Sequence, residues 1–231
     1  KDFEFNGWCI GGAQKRVSMF MSALAPMIKN REFEKERNQF IHVLGISKIS
    51  DFFMLSFFQK MLNKYHGGRI QVSTDSSSPG LYPVYGTYLH SPQLSKMTFT
   101  DLYFPKGENL PYNADDLVPN PLGHPVSEGF TFGDVSNYKG DVTMKMTLNN
   151  LFVFNETVKQ VEEVVKCHDE LLKTIIPRDF YSILMSMEEM FLDPDKAVYI
   201  YEKNSQLYDK FGGGTRDLVN NQVISQFFEI G

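Results

Sequence analysis

Asp75 opens the run Asp75-Ser76-Ser77-Ser78-Pro79-Gly80, directly after Arg69-Ile70-Gln71-Val72-Ser73-Thr74, whose apolar and β-branched residues predict a strand. A carboxylate at the carboxyl end of a parallel strand sits where barrel and open-sheet enzymes place their chemistry, and it can act as nucleophile or base. The same run is also a good turn or cap, in which the carboxylate satisfies backbone N–H groups. Gly11 and Gly12 end the apolar stretch that begins at Trp8, and Ala13 follows them. Glycine lets backbone N–H groups approach a planar base or a phosphate, but two glycines taken alone are better read as a tight strand-to-helix turn.

Other groups carry less chemistry. Gly212-Gly213-Gly214-Thr215 lacks the lysine of a phosphate-binding loop and reads as the end of one helix and the cap of the next. The five histidines, at 42, 66, 90, 124 and 168, have no two-ligand spacing, so a metal site is not expected. Cys9 and Cys167 are the two cysteines and lie far apart, which excludes a disulfide framework and points to a reducing, cytoplasmic setting. The formal net charge of −5 offers no general attraction to nucleic acid or an anionic membrane, so a polynucleotide partner needs a local patch. No apolar run reaches the ~18 residues of a membrane span, and no membrane partner is expected.

These residues need elements to hold them. Residues 8–13, 40–46 and 69–74 read as strands, and the first two are followed by helical patterns: Val17, Phe20, Leu24 and Ile28, then Phe53, Phe57, Phe58, Met61 and Leu62. Three successive βα-type units argue for a parallel sheet with covering helices. From Tyr82 to Thr147 the chain is rich in Pro, Gly, Tyr and Asn and reads as irregular with a few short strands. Helical periodicity returns over 148–172, 179–192, 195–211 and 215–230. The division expected is a partial α/β barrel over 1–89, an irregular segment over 90–147 and a helical region over 148–231.

The order of these pieces resembles the tRNA-guanine transglycosylase superfamily. Phe5-Asn6-Gly7-Trp8-Cys9-Ile10-Gly11-Gly12 is similar to its base-binding strand, and His42-Val43-Leu44-Gly45-Ile46 to its "hLLGhG" strand. Asp75-Ser76-Ser77 with Leu81-Tyr82, Gly86 and Tyr88 resembles the segment that begins with the nucleophile, and Leu148-Asn149-Asn150-Leu151-Phe152 resembles the later "L-H-N-L" helix start. The similarity covers 3–89 and 148–166. The family's three zinc-binding cysteines are missing, and its histidine ligand is replaced by Asn149. The arginines that the family places after the nucleophile fall on Leu81, Val84 or Thr87.

The resemblance implies the last three βα units of an eight-stranded (β/α)8 TIM-type barrel. The earlier strands would come from a longer chain or from another polypeptide that completes the barrel. It implies exchange of guanine in a polynucleotide, DNA or tRNA, for a 7-deazaguanine base, with no cofactor. Asp75 is the implied nucleophile, Gly11, Gly12 and Ala13 the base-binding residues, and Ser76, Ser77 and Tyr82 further substrate contacts. A non-catalytic partner subunit and a nucleic-acid-associated binding or structural protein are the alternatives.

Overall fold

The computed structural model describes residues 5–11, 17–104, 112–136 and 140–211. In chain order its elements are β1 (Gly7–Ile10), α1 (Val17–Lys29), β2 (Phe40–Val43), α2 (Ile49–His66), β3 (Gln71–Thr74), α3 (Ser78–Val84), β4 (Thr87–Gln93) and β5 (Thr98–Tyr103). Then come α4 (Phe132–Ser136), α5 (Gly140–Lys166), α6 (Asp169–Ile175), α7 (Arg178–Leu192) and α8 (Ala197–Asp209). The fold is mixed α/β, and no helix among the described residues is long and apolar enough to cross a membrane. Gly12, Ala13 and the helix expected over 215–230 lie outside the described residues. Two units emerge, one from the described residues of Lys1–Leu44, Met54–Thr74 and Pro177–Gly231, the other from Gly45–Phe53 and Asp75–Ile176.

In the first unit β1, β2 and β3 are parallel neighbours in that order, with Trp8 opposite Ile41 and Ile41 opposite Val72. Parallel pairing needs crossovers, and the chain between the strands holds α1 and α2 as the apolar spacing predicts. Val17, Phe20, Met21, Leu24 and Ile28 make the buried stripe of α1. Phe20, Phe33, Phe58 and Phe191 join α1, the 32–34 turn, α2 and α7 through ring contacts of 5.5–6.1 Å. The Arg69 guanidinium ties the 33–38 loop by donating to the carbonyls of Phe33, Lys35 and Asn38. α8 packs on α1 and α7, with the Tyr208 hydroxyl 2.9 Å from Ser186 Oγ and its pKa pushed up to about 12 by burial.

One face of this sheet buries Ile10, Ile41 and Val43. Along the other run Cys9, His42 and Ser73, in line across the strands, and Phe40, which is 55% exposed. The outer edge of β3 is occupied by a side chain: Gln59 Nε2 donates to the Ile70 carbonyl at 2.9 Å, and Gln59 Oε1 accepts the Val72 N–H at 2.7 Å. A neighbouring strand would make the same pair of bonds.

The second unit holds the stretch read as irregular with a few short strands. Residues 87–103 form an antiparallel hairpin of β4 and β5, with a bulge between Leu89 and Ser91. Pro92 sits beyond that bulge on a strand with only one strand neighbour, where a missing N–H is tolerated. The long helix begins at Gly140 rather than 148 and stops at Lys166, before α6. α3 and β4 pack against α5. The core gathers Tyr88, Phe104, Val118, Phe130, Phe132, Val135, Val142 and Met146, so the proline- and glycine-rich chain between hairpin and helix contributes its own apolar anchors.

Candidate functional site

Asp75 is the residue after β3 and is exposed to solvent. Its Oδ1 accepts the backbone N–H of Gly45 at 2.8 Å, and its carbonyl accepts the N–H of Ile46 at 3.0 Å. The loop after β2 therefore holds Asp75 by side chain and main chain together. Gly45 has φ of 75°, a left-handed conformation that glycine adopts without penalty, and a Cβ built there meets nothing within 4 Å.

The turn that follows has its own closure. Ser76 Oγ accepts the N–H of Ser78 at 3.2 Å, and the Ser77 carbonyl accepts those of Gly80 and Leu81 at 3.1 Å. α3 then exposes Leu81, Val84 and Tyr85. Tyr82 is half-buried, with its ring 6.1 Å from that of Phe154 on α5. Packing against a helix is thus the place of Tyr82 here, while Tyr85 presents its ring to solvent.

Gly11 is half-buried, and a Cβ there would come within 2.6 Å of Leu44 Cδ1, the end of an exposed side chain that can move aside. His42 Nδ1 lies 2.9 Å from Ser73 Oγ. The sequence reading did not single out this pair. The available signal for the pair was alternation, since His42 and Ser73 occupy matching positions of neighbouring strands.

A second polar site lies within α5, around Asn149 and Asn150. Asn149 is buried, and its Oδ1 accepts both the Tyr88 hydroxyl at 3.0 Å and the Ser127 hydroxyl at 2.8 Å. Its Nδ2 donates to the Leu89 carbonyl at 2.7 Å. Asn150 continues the pattern, accepting the Leu89 N–H at 2.8 Å and donating to the Thr87 carbonyl at 3.1 Å. Ser127 spends its proton on Asn149, so at its 3.1 Å contact with His124 Nδ1 the imidazole is the donor. The His124 ring lies against that of Phe152, tilted by 41° with ring centres 4.2 Å apart, and burial lowers its pKa from the ordinary value. Burial likewise raises that of the Tyr88 phenol.

These residues do not fit a zinc ion. Asn149 stands where the family resemblance places a histidine ligand, and its amide is engaged at both ends by protein groups. Among the described residues no group of three or more His, Cys, Asp or Glu side chains is placed to hold a metal. Comparison of the chain with protein-family models, with curated proteins and with solved structures gives no significant match.

Proposed function

We propose that this chain carries the nucleophile of a base-exchange glycosyltransferase of the tRNA-guanine transglycosylase type, which replaces guanine in DNA or tRNA by a 7-deazaguanine. The observation that carries the reading is Asp75: an exposed carboxylate immediately after the third of three parallel strands, anchored through one oxygen by a backbone N–H. The carboxylate attacks the anomeric carbon, the guanine departs with the bonding pair and takes up a proton, and the incoming base opens the resulting ester and releases a proton in turn. The family resemblance assigns Gly11 and Gly12 to the base, and the target nucleotide would leave its stack to be reached.

The finer fold belongs to the same proposal. Parallel sheets occur with both faces covered, whereas this one leaves Phe40, Cys9 and Ser73 exposed on a face opposite its buried residues. Further βα units, from a longer chain or another polypeptide, would cover that face as the rest of a TIM-type barrel, with the closing strand taking the β3 edge from Gln59. A non-catalytic partner subunit is the second reading, favoured by one feature: Leu81 and Val84, two of the positions on which the family's arginines fall, are exposed apolar residues.

The test is incorporation of radiolabelled guanine into duplex DNA and into bulk tRNA by the full-length protein or complex. Asp75→Asn keeps the shape and the acceptor for Gly45, so it should abolish incorporation and leave the thermal midpoint nearly unchanged. Undiminished incorporation by the variant would remove Asp75 as the nucleophile.

A further inference from the structure

We propose that Cys9, His42 and Ser73 form a thiol-exchange site, in which Cys9 attacks small disulfides, His42 moves the proton and Ser73 orients the imidazole. The inference goes beyond the reading of Asp75 and does not depend on it. The three residues are in register across β1, β2 and β3, whose neighbouring backbones stand about 4.8 Å apart, so their side chains make one row on the face opposite Ile41 and Val43. β2 is the middle strand, and His42 Nδ1 lies 2.9 Å from Ser73 Oγ on the β3 side. The two nitrogens stand on opposite sides of an imidazole, so a ring held at Nδ1 toward β3 turns Nε2 toward β1. There the residue in register is Cys9, an exposed free thiol. Nucleophile, base and orienting group thus follow one another as an activated thiol needs.

The surroundings select the substrate class. The N–H groups of β2 are spent in ladders on both sides, which leaves no backbone donor beside His42 for the oxyanion of acyl transfer. Exchange with a disulfide needs only a thiolate and a route for the proton. Phe40, exposed on the same face two residues before His42, adds an aromatic ring that suits sulfur. The row also stands one residue before the strand ends Ile10, Val43 and Thr74, the end at which barrels open, so a small molecule would reach it even where further βα units cover the sheet.

The atoms balance. The Cys9 thiol gives its proton to His42 Nε2 while the Nδ1–H donates to Ser73 Oγ. Cys9 Sγ then bonds to one sulfur of the disulfide, the S–S bond breaks, and the leaving sulfur takes the bonding pair and the proton from Nε2. Cys9 ends oxidised in a mixed disulfide, and the other half of the reagent leaves as a thiol.

The experiment treats the full-length protein with hydroxyethyl disulfide at pH 7 and pH 9.5 and reads the rate at each cysteine by peptide mass spectrometry. Cys167 is the internal reference, being half-buried with its thiol donating to the Glu163 carbonyl at 3.2 Å. Cys9 should react at least about tenfold faster than Cys167 at pH 7. His42→Asn keeps a donor for Ser73 but has nothing at the Nε2 position, so it should slow Cys9 about tenfold at pH 7 and hardly at pH 9.5, where a thiol ionises without a base. Ser73→Ala should slow it about threefold at pH 7 alone, and an unchanged Cys167 rate shows that each variant is folded. A Cys9 rate in His42→Asn within about twofold of wild type at pH 7, or an equal deficit at both pH values, would overturn the inference. So would a Cys9 that reacts only after unfolding in urea.

Discussion

The β1–β3 sheet and the β4–β5 hairpin solve one problem with the same chemical group. In each, a side-chain amide from a helix bonds a carbonyl and an N–H two residues apart on a strand edge: Gln59 with Ile70 and Val72, Asn150 with Thr87 and Leu89. Edge strands need such closure, since unpaired edges recruit other chains. The settings differ. Gln59 acts alone on a sheet whose buried face is apolar, with Ile41 fully buried and Val43 nearly so. Asn150 adjoins Asn149, which is buried and receives two hydroxyls and donates to a carbonyl. The lesson is that a sheet with an apolar face treats the amide as trim, whereas a two-stranded hairpin, marginal by itself, depends on its polar anchor.

Breaking the anchor should therefore hurt more than breaking the trim. Asn149→Ala strands the Tyr88 and Ser127 hydroxyls and the Leu89 carbonyl in a buried place, and should destabilise the chain by about 3 kcal/mol in urea or thermal unfolding. A loss under about 1 kcal/mol would mean the hairpin stands on its apolar core alone. Gln59→Ala frees two main-chain groups at a half-buried edge that water can reach, and about 1 kcal/mol is expected from the same measurement. Were it the larger of the two, the comparison would be inverted.

The smallest effect is a pH dependence. The His124 pKa lies below the ordinary histidine value in the folded chain because burial disfavours the charged form. The unfolded chain takes up the proton first, so the contribution of His124 is complete above the unfolded pKa and is lost as pH falls from there through the folded value. Stability curves of wild type and His124→Gln should separate at pH 7 to 8 and converge toward pH 5, where the protonated imidazole no longer favours the folded state. Curves that remain parallel over that range would remove His124 from the account.

The difference between the regions also decides what could be read from the sequence. β1, β2 and β3 are visible because Trp8-Cys9-Ile10, Phe40-Ile41-His42-Val43 and Ile70-Gln71-Val72 stand out as short apolar or β-branched runs, and their helices repeat apolar residues at helical spacing. The hairpin strands are Thr-Tyr-Leu-His-Ser-Pro-Gln and Thr-Phe-Thr-Asp-Leu-Tyr, in which Pro92 and the bulge blur the alternation. Their anchors come from Asn149 and Asn150, some 60 residues on, and no local pattern announces such a contact. Asp75 was legible as a strand-end carboxylate for the same reason that β3 was. Its hold by Gly45 was not, because the bond spans 30 residues and depends on the parallel pairing of β2 and β3 to bring the two loops together.

The most direct test of Asp75 as nucleophile is to look for the bond it forms. Full-length protein incubated with a guanine-containing duplex and with tRNA, quenched in acid and digested, would be examined by mass spectrometry for a nucleotide-bearing peptide. The account predicts one adduct, on Asp75, lost in Asp75→Asn and discharged when guanine is added before the quench. An adduct on another residue, or guanine exchange proceeding with none formed in Asp75→Asn, would contradict it.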